Sequence, residues 1–461
     1  MAKVLHYTGY CIFRKDETVM KKGNPAALLP IGVFLLMYLG LGLTFEYGMQ
    51  IPMGFYSVPI VGAFLVAICT ACFQNRRISF EEKLAIMGQG VGDKNIITML
   101  LIFLAAGAFV GVVGRSSAQS VAYFMLSVIP PQFAVAVLFV VSCFISTAMG
   151  TSVGTITLLT PIAVEVATAA SFDPALCIAT VVGGSMFGDN LSLISDTTIA
   201  ACNGQGCAMK DKFRGNFKIA LPAALLSLVI ILLLTAKDTP AQFTREYDLL
   251  LMIPYILVLI GGIAGVNVFL VLLGGILSGA VISLASGAIV PAAGHTVISQ
   301  LLVNMGSNMA GMFETCMVAI LVAALCALIR VGGGFDALLY FVRRVFRGKR
   351  GGQLGMGLMV AAMDVATANN TVAIVMANPI AKEMSEDYGV SPQRAACLLD
   401  TFSCIAQGVI PYGAQILVAV TAASEMGCSV SAFDLLSKLY YPALLLVCSL
   451  VAIFVPMKKR A

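Results

Sequence analysis

Apolar runs of about twenty residues recur along almost the whole chain, and a run of that length spans the hydrocarbon core of a bilayer as a helix. They fall near Ala26–Thr44, Ile51–Phe73, Asn95–Val113, Leu176–Ala201 and Phe217–Thr235, then Leu249–Ala264, Asn267–Ala285, Met312–Leu328, Gln393–Ala423 and Leu439–Val455. Only 11% of the residues are charged, whereas a soluble domain carries about 25%. The chain is therefore read as an all-α integral membrane protein. Its 13 cysteines are odd in number and scattered, which argues against a disulfide framework. Cys69 and Cys72 form a lone CxxC on an apolar helix, and small-residue packing accounts for it. With two histidines in the chain, a His/Cys metal site and a tightly held cofactor are not expected.

Two further apolar stretches, 132–170 and 353–384, are interrupted midway by polar clusters. Basic residues decide how to read them. If both are re-entrant hairpins, about 10 transmembrane helices remain, and 24 of the 28 Lys/Arg fall on the side that holds both termini. The positive-inside rule makes that side cytoplasmic. Letting either stretch cross alone destroys the asymmetry. The net charge of +5 thus has a positional origin and gives no reason to invoke nucleic acid. The first residues lack a signal-peptide cleavage pattern. They are read as a cytoplasmic tail (1–25), followed by a plasma-membrane, multi-pass body. The basic stretch 335–350 reads as an amphipathic surface helix lying against anionic lipid.

The sequence also repeats itself. At one constant offset Leu84 meets Leu302, Gly88 meets Gly306, Gly114 meets Gly332 and Pro174 meets Pro392. The densest match sets TPIAVE (160–165) against NPIAKE (378–383). One half is 26–235, with a hairpin at 132–170 and a broken helix at 176–201. The other is 249–455, with a hairpin at 353–384 and a broken helix at 393–423. A linker (236–248) joins them and a short tail (456–461) follows. Five crossings per half is an odd number, so the halves have opposite orientations. An inverted-topology repeat with interrupted helices near the midplane is a hallmark of secondary transporters working by alternating access.

The polar residues concentrate at the interruptions. The hairpin tips read GTSVGT (150–155) and ATANNT (366–371). Unwound backbone at membrane depth must be buried in protein or line a cavity. Thr151, Ser152, Asn369, Asn370 and Thr371 offer hard oxygen donors suited to a hard cation. Ordinary capping at a helix break is the competing explanation. Ser185, Asp189, Ser192 and Asp196 form one stripe on a continuous helix. Asp400, Ser403 and Gln407 form its counterpart, with Gln407 at the place of Asp189. Gly188, Gly408, Pro411 and Gly413 mark expected breaks. A carboxylate at a helix centre costs roughly 2.5–3.5 kcal/mol on insertion scales, so such residues are functional candidates. No Lys or Arg is expected mid-membrane, which leaves a bound cation or a proton to neutralise the acids. Glu165 and Glu383, at the hairpin ends, are expected to face water. Asp364 is balanced between function and structural pairing.

GDNLSLISDTT (188–198) resembles the signature of the NhaC-type Na+/H+ antiporter family. The tips GTSVGTITLLTPIA and NNTVAIVMANPIA resemble those of the related divalent-anion/sodium symporters. The resemblance covers about residues 26–455. It implies a scaffold domain and a transport domain, a homodimer, and a motif carried by Gly188, Asp189, Ser192, Ser195, Asp196, Thr197 and Thr198. Asn190 stands where a Lys is usual, and Leu193 where a Pro is usual.

The first functional reading is therefore a Na+/H+ antiporter in which Asp189 and Asp196 bind Na+ and H+ competitively, with Asn190, Ser192, Ser195, Thr197 and the tips around them. The second is a Na+-coupled carrier of an amino acid or small organic acid, with Asp364, Asp400, Ser403, Gln407 and Gln415 reading the solute. The chain is not expected to be an enzyme. An intramembrane aspartyl protease would use a GxGD motif, and this chain reads MFGD at 186–189. A pump would need a phosphate loop of the G-x-x-x-x-G-K-[ST] kind, which is absent.

Overall fold

The computed structural model describes residues 23–50, 57–74, 76, 78–193, 195–236 and 246–454. Most of both expected tails, the start of the second crossing and most of the linker, with Lys237 and Arg245, lie outside the described residues. Among these every regular element is a helix. The first, α1 (Leu29–Leu35), continues in wider turns to Leu41. It is followed by α2 (Ile60–Gln74), α3 (Phe80–Val91), α4 (Lys94–Val128), α5 (Pro131–Met149), α6 (Ser152–Ala170), α7 (Pro174–Leu191), α8 (Asp196–Gln205), α9 (Met209–Thr235) and α10 (Leu249–Ile263). Then come α11 (Val268–Ala285), α12 (Val297–Gly311), α13 (Phe313–Val331), α14 (Gly334–Val345), α15 (Gly348–Thr367), α16 (Asn370–Asp387), α17 (Pro392–Val409), α18 (Ala414–Glu425), α19 (Ala432–Lys438) and α20 (Tyr440–Phe454).

Among the described residues, eight helices are long and apolar enough to cross a membrane, or nine if the bent pair α19–α20 is one span. Six of the eight contain expected crossings; the other two are α5 and α6, the arms of the first interrupted stretch. Three expected crossings form shorter apolar helices, Pro25–Leu41, Ile60–Gln74 and Leu249–Ile263. Each arm of α5–α6 has 19 residues, about 28 Å at 1.5 Å per residue.

Caps explain where these elements begin and end. Asp173 and Ser391 accept backbone N–H bonds at the starts of α7 and α17, each with proline in the first turn, which suits a residue whose missing N–H would be unpaired there anyway. α5 ends on Gly150 at φ 72°, and α6 begins with Thr151 as N-cap. α15 ends on Ala368 at φ 46°, and α16 begins with Asn369 as N-cap. α4 kinks at Gly114, whose φ of 68° lets the chain turn onto a second helical limb. Ser152 and Asn370, Pro174 and Pro392, and Asp196 and Ala414 each begin helices at the offset of the sequence repeat.

The hydrophobic core has two clusters. One is built mainly from α4–α7, α9–α11 and α20, and the other from α1, α2 and α13–α17. The short helices after the breaks cross over. Ile416, Val418 and Ala419 of α18 sit in the first cluster beside α6, and Ala201 of α8 sits in the second. Asn378 of α16 donates to the carbonyl of Ala200, and Gln205 of α8 donates to Asn378. Gly204 makes that approach possible, since a Cβ there would collide with the Asn378 side chain.

Three expectations are corrected. Glu165 does not face water: it is 1% exposed and accepts from Arg115 Nε at 2.5 Å, on the second limb of α4. Glu383 is partly covered and pairs with Arg343, which also holds Asp387 at 2.8 Å. The expectation of no mid-membrane cation also fails. Lys212, counted among cytoplasmic loop residues, is 0% exposed, because α9 begins at Met209 and carries it inward.

Candidate functional site

Both hairpin tips and both helix breaks meet at one cavity of ≈ 210 Å³. The first tip contributes Gly150, Thr151 and Ser152; the second contributes Ala368, Asn369, Asn370 and Thr371. The break between α7 and α8 contributes Asp189, Ser195, Asp196 and Thr197, and the break between α17 and α18 contributes Gln407, Ala414 and Gln415. Thr98 and Asn267 complete the polar wall. Four helices, α6, α8, α16 and α18, therefore start at this cavity. Their first-turn N–H groups, which have no partner within the helix, place positive partial charge around it.

Asp189 is 6% exposed, and its Oδ1 accepts the backbone N–H of Ser152 at 2.9 Å. Gln415 Nε2 donates to Ser152 Oγ at 2.7 Å, tying the second break to the first tip. Gln407 Nε2 donates to the carbonyl of Ala368 at 3.2 Å, tying that break to its own tip. The amide oxygens Oε1 of Gln407 and Gln415 have no hydrogen-bond partner among the described residues. Buried acceptors of that kind are satisfied by a ligand or a water.

The polar stripe expected on one continuous helix does not form. α7 ends at Leu191, and Ser195 caps α8 by accepting from the Thr198 N–H. Asp196 is consequently exposed at the mouth of the cavity, in the first turn of α8, where the helix dipole favours a carboxylate. Gly188 is not the break. It sits against α5, where a Cβ would collide with Ser146.

Five expected site residues lie outside the cavity wall. Asn190 turns its amide to the Met186 carbonyl and to Cys404 Sγ. Ser192 is buried and its carbonyl accepts from Thr198 Oγ1. Ser403 donates back to the Asp400 carbonyl within its own helix. Asp364 is fully buried on α15. Asp400 is held by Lys212 Nζ at 2.8 Å and by Asn216 Nδ2 at 2.7 Å.

Lys212 and Asn216 are the residues the sequence reading missed. The ammonium also donates to the Asn190 carbonyl at 3.0 Å and to Thr198 Oγ1 at 2.6 Å. It thus clamps both ends of the first break to α17. A signal was present: Lys212, Asn216, Ala220, Ala223 and Ser227 follow helical spacing on the buried face of α9. The charged stretch around Lys212 masked it. A Tyr-Asp dipeptide of the sort an aspartyl protease would use occurs at 247–248. Asp248 instead caps α10, accepting from the Leu250 N–H.

The profile of the Na+/H+ antiporter family matches residues 27–237 and 243–456. The Na+/H+ antiporter NhaC of Alkalihalophilus pseudofirmus is 25% identical over 41% of this chain and 41% of its own length. A protein of Haemophilus influenzae named as an uncharacterized Na+/H+ antiporter is 22% identical over 84% of this chain and 87% of its own. The malate-2H+/Na+-lactate antiporter of Bacillus subtilis is 23% identical over 46% of this chain and 44% of its own. Among solved structures, the YdaH transporter of Alcanivorax borkumensis aligns with 82% of this chain and 89% of its own, at TM-score 0.42 and 16% identity.

Proposed function

The chain belongs to the Na+/H+ antiporter family, and from that premise we propose that it is a Na+-coupled secondary transporter that exchanges Na+ for H+ at Asp189. The observation that carries this reading is the sign of the cavity. Among the described residues that line it, the charged ones are Asp189 and Asp196, both acids. Around them stand hydroxyls and the unpartnered amide oxygens of Gln407 and Gln415, a donor set for a hard cation. Na+ bound to the Asp189 carboxylate neutralises a charge that is costly to bury, and so does a proton. The two therefore compete, and each is released when the other binds. Thr151, Ser152, Asn369, Asn370 and Thr371 complete the coordination, and Asp196 draws cations to the mouth. In this reading the halves are inverted repeats that exchange conformations to expose the site alternately. Both termini are cytoplasmic, and the molecule sits in the plasma membrane as a homodimer.

A second reading is favoured by the size of the cavity. Its ≈ 210 Å³ holds roughly seven waters at about 30 Å³ each, more than a dehydrated ion needs. Four helix N-termini around it suit a carboxylate. A small organic acid or amino acid carried with Na+ fits both facts.

Proteoliposomes loaded with a pH-sensitive dye separate the readings. Pulses of Na+, Li+ or K+ are expected to drive proton movement with Na+ or Li+, and Asp189→Asn to remove it. Silence to every cation, together with Na+-dependent uptake of lactate, malate or an amino acid, would replace the first reading by the second.

A further inference from the structure

The acids buried in this bundle have unlike surroundings. Asp189 faces the cavity and accepts an N–H. Asp400 is neutralised by Lys212. Asp364 has neither arrangement. It is 0% exposed, and neither carboxylate oxygen has a hydrogen-bond partner among the described residues. An ionised carboxylate in that position would be a buried charge without compensation, the most expensive arrangement a protein interior offers.

The charged and titratable groups around it show how dry the place is. On α17 and in the break that follows it, Cys404 and Tyr412 are close enough to feel its charge. Cys326 of α13 donates to the carbonyl of Ala366 nearby. Asp400, farther along α17, is occupied by Lys212. Arg343 of α14 is spent on Glu383 and Asp387 of α16, and α20 carries no charged residue. The repeat-equivalent position in the first half is Ser146, whose hydroxyl donates to the Ser185 carbonyl at 2.6 Å. The matching place in the other half therefore holds a donor. An ionised carboxylate only accepts, whereas a protonated one donates.

Against Asp364 lies Gln407, whose Oε1 is itself unpartnered and whose amide lines the cavity and grips the second tip at Ala368. Tyr412 OH donates to the carbonyl of Val365, next in sequence. Asp364 thus lies beside the segment, Val365 to Ala368, through which the second hairpin contacts the second break.

We propose that Asp364 is a proton-carrying site separate from the cavity: it is protonated in this conformation and releases its proton only when the second hairpin tip parts from Gln407 and water reaches the carboxyl. The O–H bond then breaks, the proton passes to that water, and the carboxylate left behind favours the open, wetted arrangement. Na+ does not bind there, so one proton per cycle moves without competing with Na+ at Asp189. This rests on the reading of the chain as a proton-exchanging carrier.

Two measurements test it on purified protein. Infrared spectroscopy at neutral pH is expected to show a protonated-carboxyl band that disappears in Asp364→Asn. In proteoliposomes the same variant is expected to keep Na+/Na+ exchange while moving one H+ fewer per Na+ than the wild type. Asp364→Ser, which copies Ser146, serves if the asparagine variant does not fold. An unchanged infrared spectrum or an unchanged H+:Na+ ratio overturns the proposal. Wild-type protein that moves no protons on a Na+ pulse would defeat the proposed function instead, and the infrared comparison alone would then judge Asp364.

Discussion

Behind the first hairpin tip stands an acid that accepts, and behind the second stands an amide that donates. Asp189 takes the N–H of Ser152 at the start of α6, while Gln407, its counterpart under the repeat, gives an N–H to the carbonyl of Ala368 at the end of α15. The same scaffold position thus meets a helix N-terminus in one half and a helix C-terminus in the other, and each side chain has the matching polarity. The contrast extends along both helices. α17 carries Asp400 where α7 carries Val182, and Lys212 of α9 corresponds to Val430. α15 carries Asp364 where α5 carries Ser146. Both acids that line the cavity, Asp189 and Asp196, come from the first half; Asp364 and Asp400 of the second lie outside its wall. Three carboxylates of the repeat thus have different surroundings: Asp189 faces the cavity, Asp400 is paired with Lys212, and Asp364 is buried without a hydrogen-bond partner among the described residues.

The largest expected effect comes from breaking the part of this contrast that holds the halves together. Lys212→Met leaves Asp400 buried without its cation. Removing one partner of a buried pair costs about 3–5 kcal/mol, which thermal unfolding in detergent would read as a large fall in midpoint. Lys212→Met combined with Asp400→Val removes both charges at once and is expected to recover most of the loss. A small loss in the single variant would mean that Lys212 is a bystander. Transport by the double variant would further show that this pair positions the break without carrying an ion.

Next in size is the exchange of acid and amide. Asp189→Asn is expected to lower Na+-driven proton movement roughly 100-fold, the scale of losing a charge-assisted contact worth about 1.5–3 kcal/mol. Gln407→Ala is expected to cost about 10-fold or less, because it removes a neutral hydrogen bond and one amide oxygen. Equal losses would erase the distinction between the halves. Recovery of transport in Asp189→Gln combined with Gln407→Asp would show that the cavity needs one carboxylate but not on a particular side.

The sequence revealed the frame better than the contacts inside it. Residues at a constant offset, such as Pro174 with Pro392, do fall at helix starts, because helix starts are written in local caps. The tips were legible for the same reason: Gly, Ser, Thr and Asn inside apolar stretches mark helix ends, and Thr151 and Asn369 cap the helices that begin there. The cavity itself drew together eleven of the expected residues. Long-range partners were not legible. Lys212 looked like a loop cation because charge density was read along the chain, whereas its burial depends on α9 starting at Met209, directly after α8 closes on Gly206 at φ 70°. Asp196 reaches the cavity on a helix of its own, because a stripe presumes one helix axis and Ser195 begins a new one. The burial of Glu165 depends on Arg115, fifty residues away on the second limb of α4, and no local pattern announces that partner.

The smallest effect concerns the tips as backbone. Gly150 at φ 72° is free of strain, but Ala368 holds φ 46° with a Cβ, a left-handed conformation that costs an L-residue about 1–2 kcal/mol. Gly150→Ala is therefore expected to lower stability by about 1 kcal/mol. Ala368→Gly relieves the strain but adds freedom to the unfolded chain, worth about 0.5–1 kcal/mol the other way, so its net gain lies between zero and about 1.5 kcal/mol. Its larger consequence is kinetic. The Ala368 carbonyl is the one Gln407 holds, and a relaxed tip has less stored energy to release on parting from it. Ala368→Gly is thus expected to raise the unfolding midpoint slightly while slowing exchange, whereas Gly150→Ala lowers the midpoint. If both variants shift stability in the same direction, the two tips are equivalent in strain, and the asymmetry between the halves lies in their side chains alone.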